Sequence, residues 1–410
     1  MQTLWLVYFY APPPESGRSE LVPLALFSTL IAVGRLIEAF DDLAIGHWSD
    51  VTRTRWGRRL PFIAGGAPLV GLCFLLLWAP PPLAPEPLAL YVFLLVQAYF
   101  LVATIVQQPY EAVLAELSAD SAVRVRVSAW KVAFGVLGAA VGLIGSGLAI
   151  ERLGFLGAGA IFALLGSGSI LLSALGVWRL PAVVPAESIS LRAALRLTLT
   201  NTQFLVYVTS ATLFFLGLNL LTLLLPYFVT VLLGQPEGLV SLFTAVFTGV
   251  ALLMLPLVTW AATRFGKART FRTAMVALGV LLPGLFWVGS WPGLDPLLQM
   301  AGYVALLGVP MAALFVLPNP LIADIIDDEA RRTGLRREGI YYAADVTVRK
   351  FGFALSTALF GAVLATFGFS PDNPLGIRLI GPLAGIGVLI GVVVFSRGYR
   401  LADPVAVPSK

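Results

Sequence analysis

The chain has 410 residues, of which 58% are hydrophobic and 12% are charged, and its mean hydropathy is +0.90. Soluble globular proteins carry roughly 25% charged residues, so this composition excludes a soluble protein and predicts a polytopic membrane protein. A single cysteine, Cys73, and a single histidine, His47, exclude a disulfide framework, a Cys/His metal site and a Cys/His nucleophile pair. The net charge of +5 does not indicate nucleic-acid binding, because the basic residues of a membrane protein are concentrated in the loops on one side of the membrane. We expect no nucleic-acid partner.

The first apolar stretch, residues 1–10, has about half the length of a membrane span and is followed by prolines at positions 12–14. A span needs about 20 apolar residues, and this stretch lacks the basic n-region and the cleavage site of a signal peptide. We interpret it as the back half of a first helix whose front is absent, through a mis-set start codon or a real truncation. Eleven full spans follow, at 20–46, 60–81, 87–114, 128–150, 155–178, 204–233, 238–263, 270–291, 296–323, 339–367 and 376–396.

The basic residues are concentrated on one predicted side of the membrane. With residues 1–10 counted as the first span, 21 of the 27 lysines and arginines lie at the C-terminus or after even-numbered spans, and three lie in the opposite connections. The positive-inside rule therefore predicts that the side with 21 is cytoplasmic, together with both termini of the full-length topology. The expected location is a bacterial-type cytoplasmic (inner) membrane.

Three carboxylates in span 20–46 form the strongest local signal. Glu38, Asp41 and Asp42 fall at i, i+3 and i+4, which places them on one face of a helix. Exposing three charges to lipid would cost about 8–10 kcal/mol, so we expect these acids to face the protein interior. Carboxylates this close bind a cation or a proton unless other charges neutralise them. The alternative is structural, with Arg35 and Lys350 neutralising two of the three.

Span 87–114 carries a polar stripe formed by Thr104, Gln107, Gln108 and Glu111. Thr104 offers a neutral oxygen of the kind that suits a hard cation with mixed oxygen ligands. We expect the stripe to belong to a cation and substrate site. The alternative is that these side chains only join helices by hydrogen bonds.

The second half of the chain has further ionisable residues inside predicted spans. Asp345 precedes Arg349 by four residues, and this spacing predicts an ion pair within one helix. Lys350 needs a carboxylate partner at this depth, and the acids of span 20–46 are the expected partners. Candidate polar contacts for a hydroxyl-bearing ligand are Asn219, Tyr341 and Tyr342.

The chain divides into two halves that repeat each other. Residues 1–178 and 204–410 each account for six helices, and residues 179–203 form a polar linker with helical periodicity. In both halves, a cytoplasmic connection places acids before arginines. These charges are either topology anchors or ion-pair latches that hold the cytoplasmic face closed, and we favour the latches: Asp50, Arg53, Arg55, Arg58, Arg59, Glu116, Asp324, Asp328, Arg336 and Arg337.

Three segments closely resemble the glycoside–pentoside–hexuronide:cation symporters and occur in the same order along the chain. They are EAFDDLAIGHWSDVTRTRWGRRLPF (38–62), QPYEAVLAELSAD (108–120) and ADIIDDEARRTGLRREGIYYAADVTVRKFG (323–352). The resemblance implies an all-α membrane protein of the major facilitator fold, built from two six-helix bundles with a substrate site near the bilayer midplane. It also implies that the acids at 38 and 42 and the threonine at 104 bind Na⁺ or H⁺, with Asp41 at a position held by an amide in the melibiose carrier. The lysine at 350 would neighbour this cluster.

The match to the melibiose carrier is incomplete at the sugar site. Gln107 and Glu111 stand where that carrier has an aspartate and a tryptophan, so galactoside recognition does not carry over. We therefore predict a symporter that couples H⁺ or Na⁺ to the uptake of a sugar or glycoside, and of the two cations we slightly favour H⁺. We expect no other cofactor or metal and no catalytic residues. The protein is expected to be a monomer in the lipid bilayer. Two alternatives remain, a lysolipid or amphiphile transporter and a non-transporting sensor or truncated product.

Overall fold

The computed structural model describes residues 1–14, 17–52, 54, 56, 59–116, 121–177, 200–333 and 338–401. Within these ranges the regular structure is helical and contains no strand, as the sequence predicts for an all-α membrane protein. The helices are α1 (Gln2–Tyr10), α2 (Leu24–Val51), α3 (Leu60–Leu76), α4 (Pro85–Glu116), α5 (Ser121–Val177), α6 (Thr202–Tyr227, continued by a π turn Phe228–Leu232), α7 (Gly238–Leu253), α8 (Leu255–Phe265), α9 (Lys267–Leu281, continued by a 3₁₀ turn Leu282–Trp287), α10 (Pro296–Val316), α11 (Pro318–Thr333), α12 (Glu338–Phe367) and α13 (Leu375–Gly398).

Helix α5 contains two predicted spans joined at a glycine. At Gly154 the backbone leaves the helical conformation, with φ 69° and ψ 177°. A positive φ favours glycine because it has no Cβ. A straight helix of 57 residues would be about 86 Å long, far more than the roughly 30 Å of a bilayer core. The break therefore falls where the sequence predicts a connection between spans 128–150 and 155–178.

Eight helical segments of the described residues are long and apolar enough to cross a membrane. One of them, Leu137–Gly176, covers two predicted spans, and the shorter apolar helix Leu60–Leu76 accounts for a third. Leu24–Val51 is not among the eight, although it has 28 residues; it carries the charged cluster around Glu38. Each of the eleven predicted spans thus corresponds to a helix, and the chain is a multi-pass membrane protein.

The chain forms two compact units. The first comprises Met1–Pro12, Arg18–Glu187 and Pro236–Ser241, and the second comprises Pro13–Gly17, Ser188–Gln235 and Leu242–Lys410. In the first unit, α3 packs against α4 and α5, and α2 packs against α4. In the second, α6 packs against α12 and α13, and α9 packs against α13. Most of the predicted linker 179–203 lies outside the described residues.

The segment 323–333 is helical, whereas the sequence analysis assigns it to a cytoplasmic loop. It forms most of α11, whose buried residues include Leu321, Ile322, Ile325 and Ile326. These residues recur at the spacing of one helical face; Asp324 lies between them, and the other acids of the segment follow Ile326. The density of charge led to the loop interpretation, but the apolar residues buried on one side stabilise an amphipathic helix.

Two glycines of α13 allow close contact with α9 and its 3₁₀ continuation. A Cβ on Gly385 would lie 2.5 Å from Pro283 Cδ and 2.8 Å from the carbonyl oxygen of Gly279. A Cβ on Gly381, one turn earlier, would lie 2.6 Å from the carbonyl oxygen of Leu282. Small residues four apart are a usual device for bringing membrane helices together.

This contact predicts a position-specific effect of alanine. Replacing Gly385 by Ala is expected to lower the free energy of unfolding by about 1–3 kcal/mol, because the added methyl group overlaps proline and backbone atoms. Gly387→Ala is the matched control, since a Cβ there would lie 3.8 Å from Leu216 Cδ2; it is expected to be neutral or stabilising by up to about 1 kcal/mol. Unfolding in detergent micelles measures both, and equal effects at the two positions would contradict the packing.

Candidate functional site

The described carboxylate of the predicted cation cluster is buried and paired within α2. Glu38 is 9% exposed, and Arg35 Nη1 donates a hydrogen bond to Glu38 Oε2 over 3.0 Å. The guanidinium of Arg35 also lies over the ring of Phe100 on α4, with its Cζ 4.2 Å from the ring centroid. Glu38 therefore faces the interior, as the cost of exposing it to lipid predicts. Its charge is partly balanced by Arg35. This pairing is one of the two expected under the structural alternative, in which Arg35 and Lys350 neutralise two of the three carboxylates.

A glycine on α2 brings this pair close to α4. A Cβ on Gly34 would lie 2.1 Å from Gln97 Nε2 and 3.3 Å from Gln97 Cδ, so no larger residue fits without a shift of that side chain. Gln97, Phe100 and Thr104 recur at i, i+3 and i+7, on one face of α4. Since Gln97 and Phe100 contact α2, this face of α4 is the one that meets α2.

Thr104 lies on the same face and is 6% exposed. It follows Gln97 by seven residues, as Asp41 follows Gly34 by seven. The contacts of Gly34 with Gln97 and of Arg35 with Phe100 advance in the same direction along both helices. Extended by two turns, the offset of the Gly34–Gln97 contact predicts that residue 41 lies level with Thr104.

Gln97 is a candidate that the sequence analysis misses. Its Nε2 atom is buried, and within the described part of the chain it has no hydrogen-bond partner. A buried amide N–H without a partner costs roughly 1–3 kcal/mol, so its position beside the Arg35–Glu38 pair calls for an acceptor. The available signal was its seven-residue spacing from Thr104.

Two of the other predicted members of the site have described side chains, and three do not. Gln107 is exposed and Gln108 is half-buried, so the predicted stripe on α4 changes from buried to exposed along its length. Asp41, Asp42 and Glu111 belong to helices α2 and α4, but their side chains lie outside what the structure describes.

In the second unit, α12 carries a buried ion pair. Asp345 is 0% exposed and pairs with Arg349 one turn later, as their spacing predicts. The guanidinium of Arg349 also lies over the ring of Phe215 on α6, with its Cζ 4.7 Å from the centroid. Lys350 is half-buried on the same helix. Its approach to the acids of α2 stays a prediction.

Two predicted substrate contacts already have partners within the second unit. Asn219 Nδ2 donates to Ser356 Oγ over 2.6 Å, which joins α6 to α12. The hydroxyl of Tyr341 accepts a hydrogen bond from Asn201 Nδ2 over 2.9 Å, and Tyr341 is buried. These bonds give Asn219 and Tyr341 a role in joining helices, whereas Tyr342 is half-buried. Their assignment to substrate stays a prediction.

Two of the predicted latch residues that are described, Asp324 and Asp328, pair within the second unit. Lys267 Nζ lies 2.6 Å from Asp324 Oδ1, and Asp328 Oδ2 lies 3.0 Å from Arg332 Nη2. Arg59 is buried in the first unit. The side chains of Asp50 and Glu116 lie outside the described set, as do the whole residues Arg53, Arg55, Arg58, Arg336 and Arg337. The latch between halves stays a prediction.

Comparison with known proteins places the chain among transporters. A family profile described as MFS/sugar transport protein matches residues 3–395. The uncharacterized symporter sll1374 of Synechocystis sp. is 26% identical over 87% of this chain and 82% of its own length. The putative glycoside/cation symporter YagG of Escherichia coli is 26% identical over 97% and 87%, respectively. The crystal structure of the nucleoside transporter NupG superposes with a TM-score of 0.62 at 13% identity, covering 98% of this chain and 96% of that one.

Proposed function

Because this chain belongs to the MFS/sugar transport protein family, we propose that it is a secondary symporter that couples H⁺ or Na⁺ to the uptake of a glycoside by alternating access. The matches to NupG and to the family profile identify the major facilitator fold, and the relatives are transporters rather than enzymes. The relatives named as a symporter and as a putative glycoside/cation symporter support cation coupling and a glycosidic substrate.

The observation that carries the proposal is the buried carboxylate of Glu38 in the middle of α2, the helix of the predicted span 20–46. Asp41 and Asp42 follow within four residues, whereas Arg35 supplies one positive charge. Three carboxylates against the guanidinium of Arg35 and the expected ammonium of Lys350 leave an excess of one negative charge in a medium that solvates it poorly. A bound Na⁺, or a proton taken up by one carboxyl group, removes that excess.

The proposed coupling follows from this charge balance. A cation at Glu38, Asp41, Asp42 and Thr104 reduces the repulsion within the cluster and releases Lys350 to interact elsewhere. Substrate then binds more tightly to the cation-loaded protein, through polar groups such as Gln107, Gln108 and Tyr342. Linkage requires that substrate raise the affinity for the cation by the same factor, with a coupling free energy of about 1–3 kcal/mol.

Ligand-dependent thermal stability tests the proposal. The purified protein, in detergent micelles, is heated with glycosides, pentosides, hexuronides and lysolipids, each with Na⁺ or at several pH values without Na⁺. We expect a glycoside to raise the unfolding temperature, and the size of that shift to depend on Na⁺ or on pH. Stabilisation by lysolipids alone would overturn the sugar assignment, and a glycoside shift independent of both cations would overturn the coupling.

A further inference from the structure

A cavity of about 1110 Å³ opens in the second unit, apart from the residues assigned to transport. It lies where α8 ends and α9 begins, and the last turn of α13 forms another wall. Among the described residues, its lining includes four basic side chains and no aspartate or glutamate: Arg264, Lys267, Arg269 and Arg272. Hydroxyl groups of Thr263, Ser396 and Tyr399 also line it.

Three of these four cations have no ion-pair partner among the described residues. Lys267 pairs with Asp324. No ion pair involves Arg264, Arg269 or Arg272 within the part of the chain that the structure describes. Guanidinium groups match the oxygen atoms of phosphate by paired hydrogen bonds. A cavity lined by three such groups therefore fits a phosphate-bearing anion.

The surroundings of the cavity favour a lipid as the source of that phosphate. Phe265 lines the cavity and is 53% exposed, and its ring meets that of Trp260 edge-on, with centroids 5.5 Å apart. Exposed tryptophans are typical of the level of lipid headgroups. The basic residues fall in a connection that the charge distribution predicts to be cytoplasmic, where anionic lipids attract arginines at helix ends.

We propose that this cavity binds the phosphate headgroup of an anionic phospholipid. The phosphate contacts the guanidinium groups of Arg264, Arg269 and Arg272, and the acyl chains leave the cavity past Phe265 and Trp260. This site is separate from the proposed cation and sugar site, so its test does not depend on transport.

Native mass spectrometry of the purified protein, titrated with phosphatidylglycerol, tests the site. An arginine that contacts the bound anionic headgroup is expected to contribute on the order of fivefold in affinity, so R264Q/R269Q/R272Q is expected to bind phosphatidylglycerol roughly a hundredfold more weakly. The matched control is R331Q/R332Q/R397Q, which removes three arginines of the same unit that do not line the cavity. The control is expected to bind as the wild type does. The single variants R264Q, R269Q and R272Q, each expected to lose about fivefold, keep the test decisive if the triple variant does not fold.

Three results would overturn the proposal. Equal losses in the two triple variants would show that binding follows total charge and not the cavity. Equal binding of phosphatidylglycerol and phosphatidylethanolamine by the wild type would exclude selection of an anionic headgroup. Displacement of phosphatidylglycerol by an equal concentration of inorganic phosphate would assign the cavity to a free anion instead of a lipid.

Discussion

Replacing Glu38 by Gln is expected to abolish accumulation of the substrate while leaving equilibration across the membrane. Glu38 is the described carboxylate of the cluster, it is 9% exposed, and it pairs with Arg35, whose guanidinium lies over Phe100 of α4. Without this charge, the cation site loses an anionic ligand. The gradient of the coupling cation then no longer drives the substrate towards a higher internal concentration. Uptake of labelled glycoside into right-side-out vesicles measures the effect. In the E38Q variant, the internal concentration of glycoside is expected to rise only to the external concentration.

A double variant separates coupling from structure. If Glu38 served only to neutralise Arg35, then R35Q/E38Q, which removes both charges of the pair, would restore accumulation. We expect it to remain uncoupled, because the site still lacks the carboxylate that binds the cation. Recovery of accumulation in R35Q/E38Q, or its persistence in E38Q, would refute the assignment of Glu38 to the cation site. Asp42→Asn is expected to be uncoupled for the same reason.

The second large effect is on stability. Replacing Asp345 by Asn is expected to lower the free energy of unfolding by about 3–5 kcal/mol, because it leaves the Arg349 charge without its buried partner. Asp345 is 0% exposed, and in the variant the guanidinium of Arg349 keeps its contact with the ring of Phe215 but loses its carboxylate partner. Denaturant or thermal unfolding in detergent micelles, monitored by tryptophan fluorescence, measures the loss.

The matched control removes both charges. D345N/R349Q leaves no unpaired ion, and replacing a buried ion pair by neutral groups is often close to neutral for stability. We therefore expect the double variant to recover most of the loss caused by D345N. If the double variant is as unstable as D345N, the pair does not account for the stability of α12, and the loss must come from another contact of Asp345.

Most of the helices could be predicted from the sequence because the bilayer imposes a simple rule. Twenty or so apolar residues between polar connections form a helix, since no other conformation satisfies an isolated backbone in lipid. The connection near Gly154 was visible for this reason. The exception, 323–333, failed because its charges masked the spacing of Ile322, Ile325 and Ile326, which bury one face of α11.

Ion pairs within one helix were visible from the sequence, but contacts between helices were not. Asp345 and Arg349 are four residues apart, so helical geometry alone brings them together. The stacking of Arg35 on Phe100 and the bond from Asn219 to Ser356 depend on how α2 meets α4 and how α6 meets α12. Small residues such as Gly34 set these distances, and a single sequence gives no measure of them.

Accumulation in proteoliposomes tests most directly whether this chain is a cation-coupled glycoside symporter. The purified protein is reconstituted, the glycoside that stabilises it is supplied outside, and an inward Na⁺ or H⁺ gradient is imposed. We predict a transient rise of internal glycoside above the external concentration, which one of the two gradients drives and which an ionophore for that cation abolishes. Uptake that only equilibrates, with the same final level under either gradient and with no gradient at all, would contradict symport.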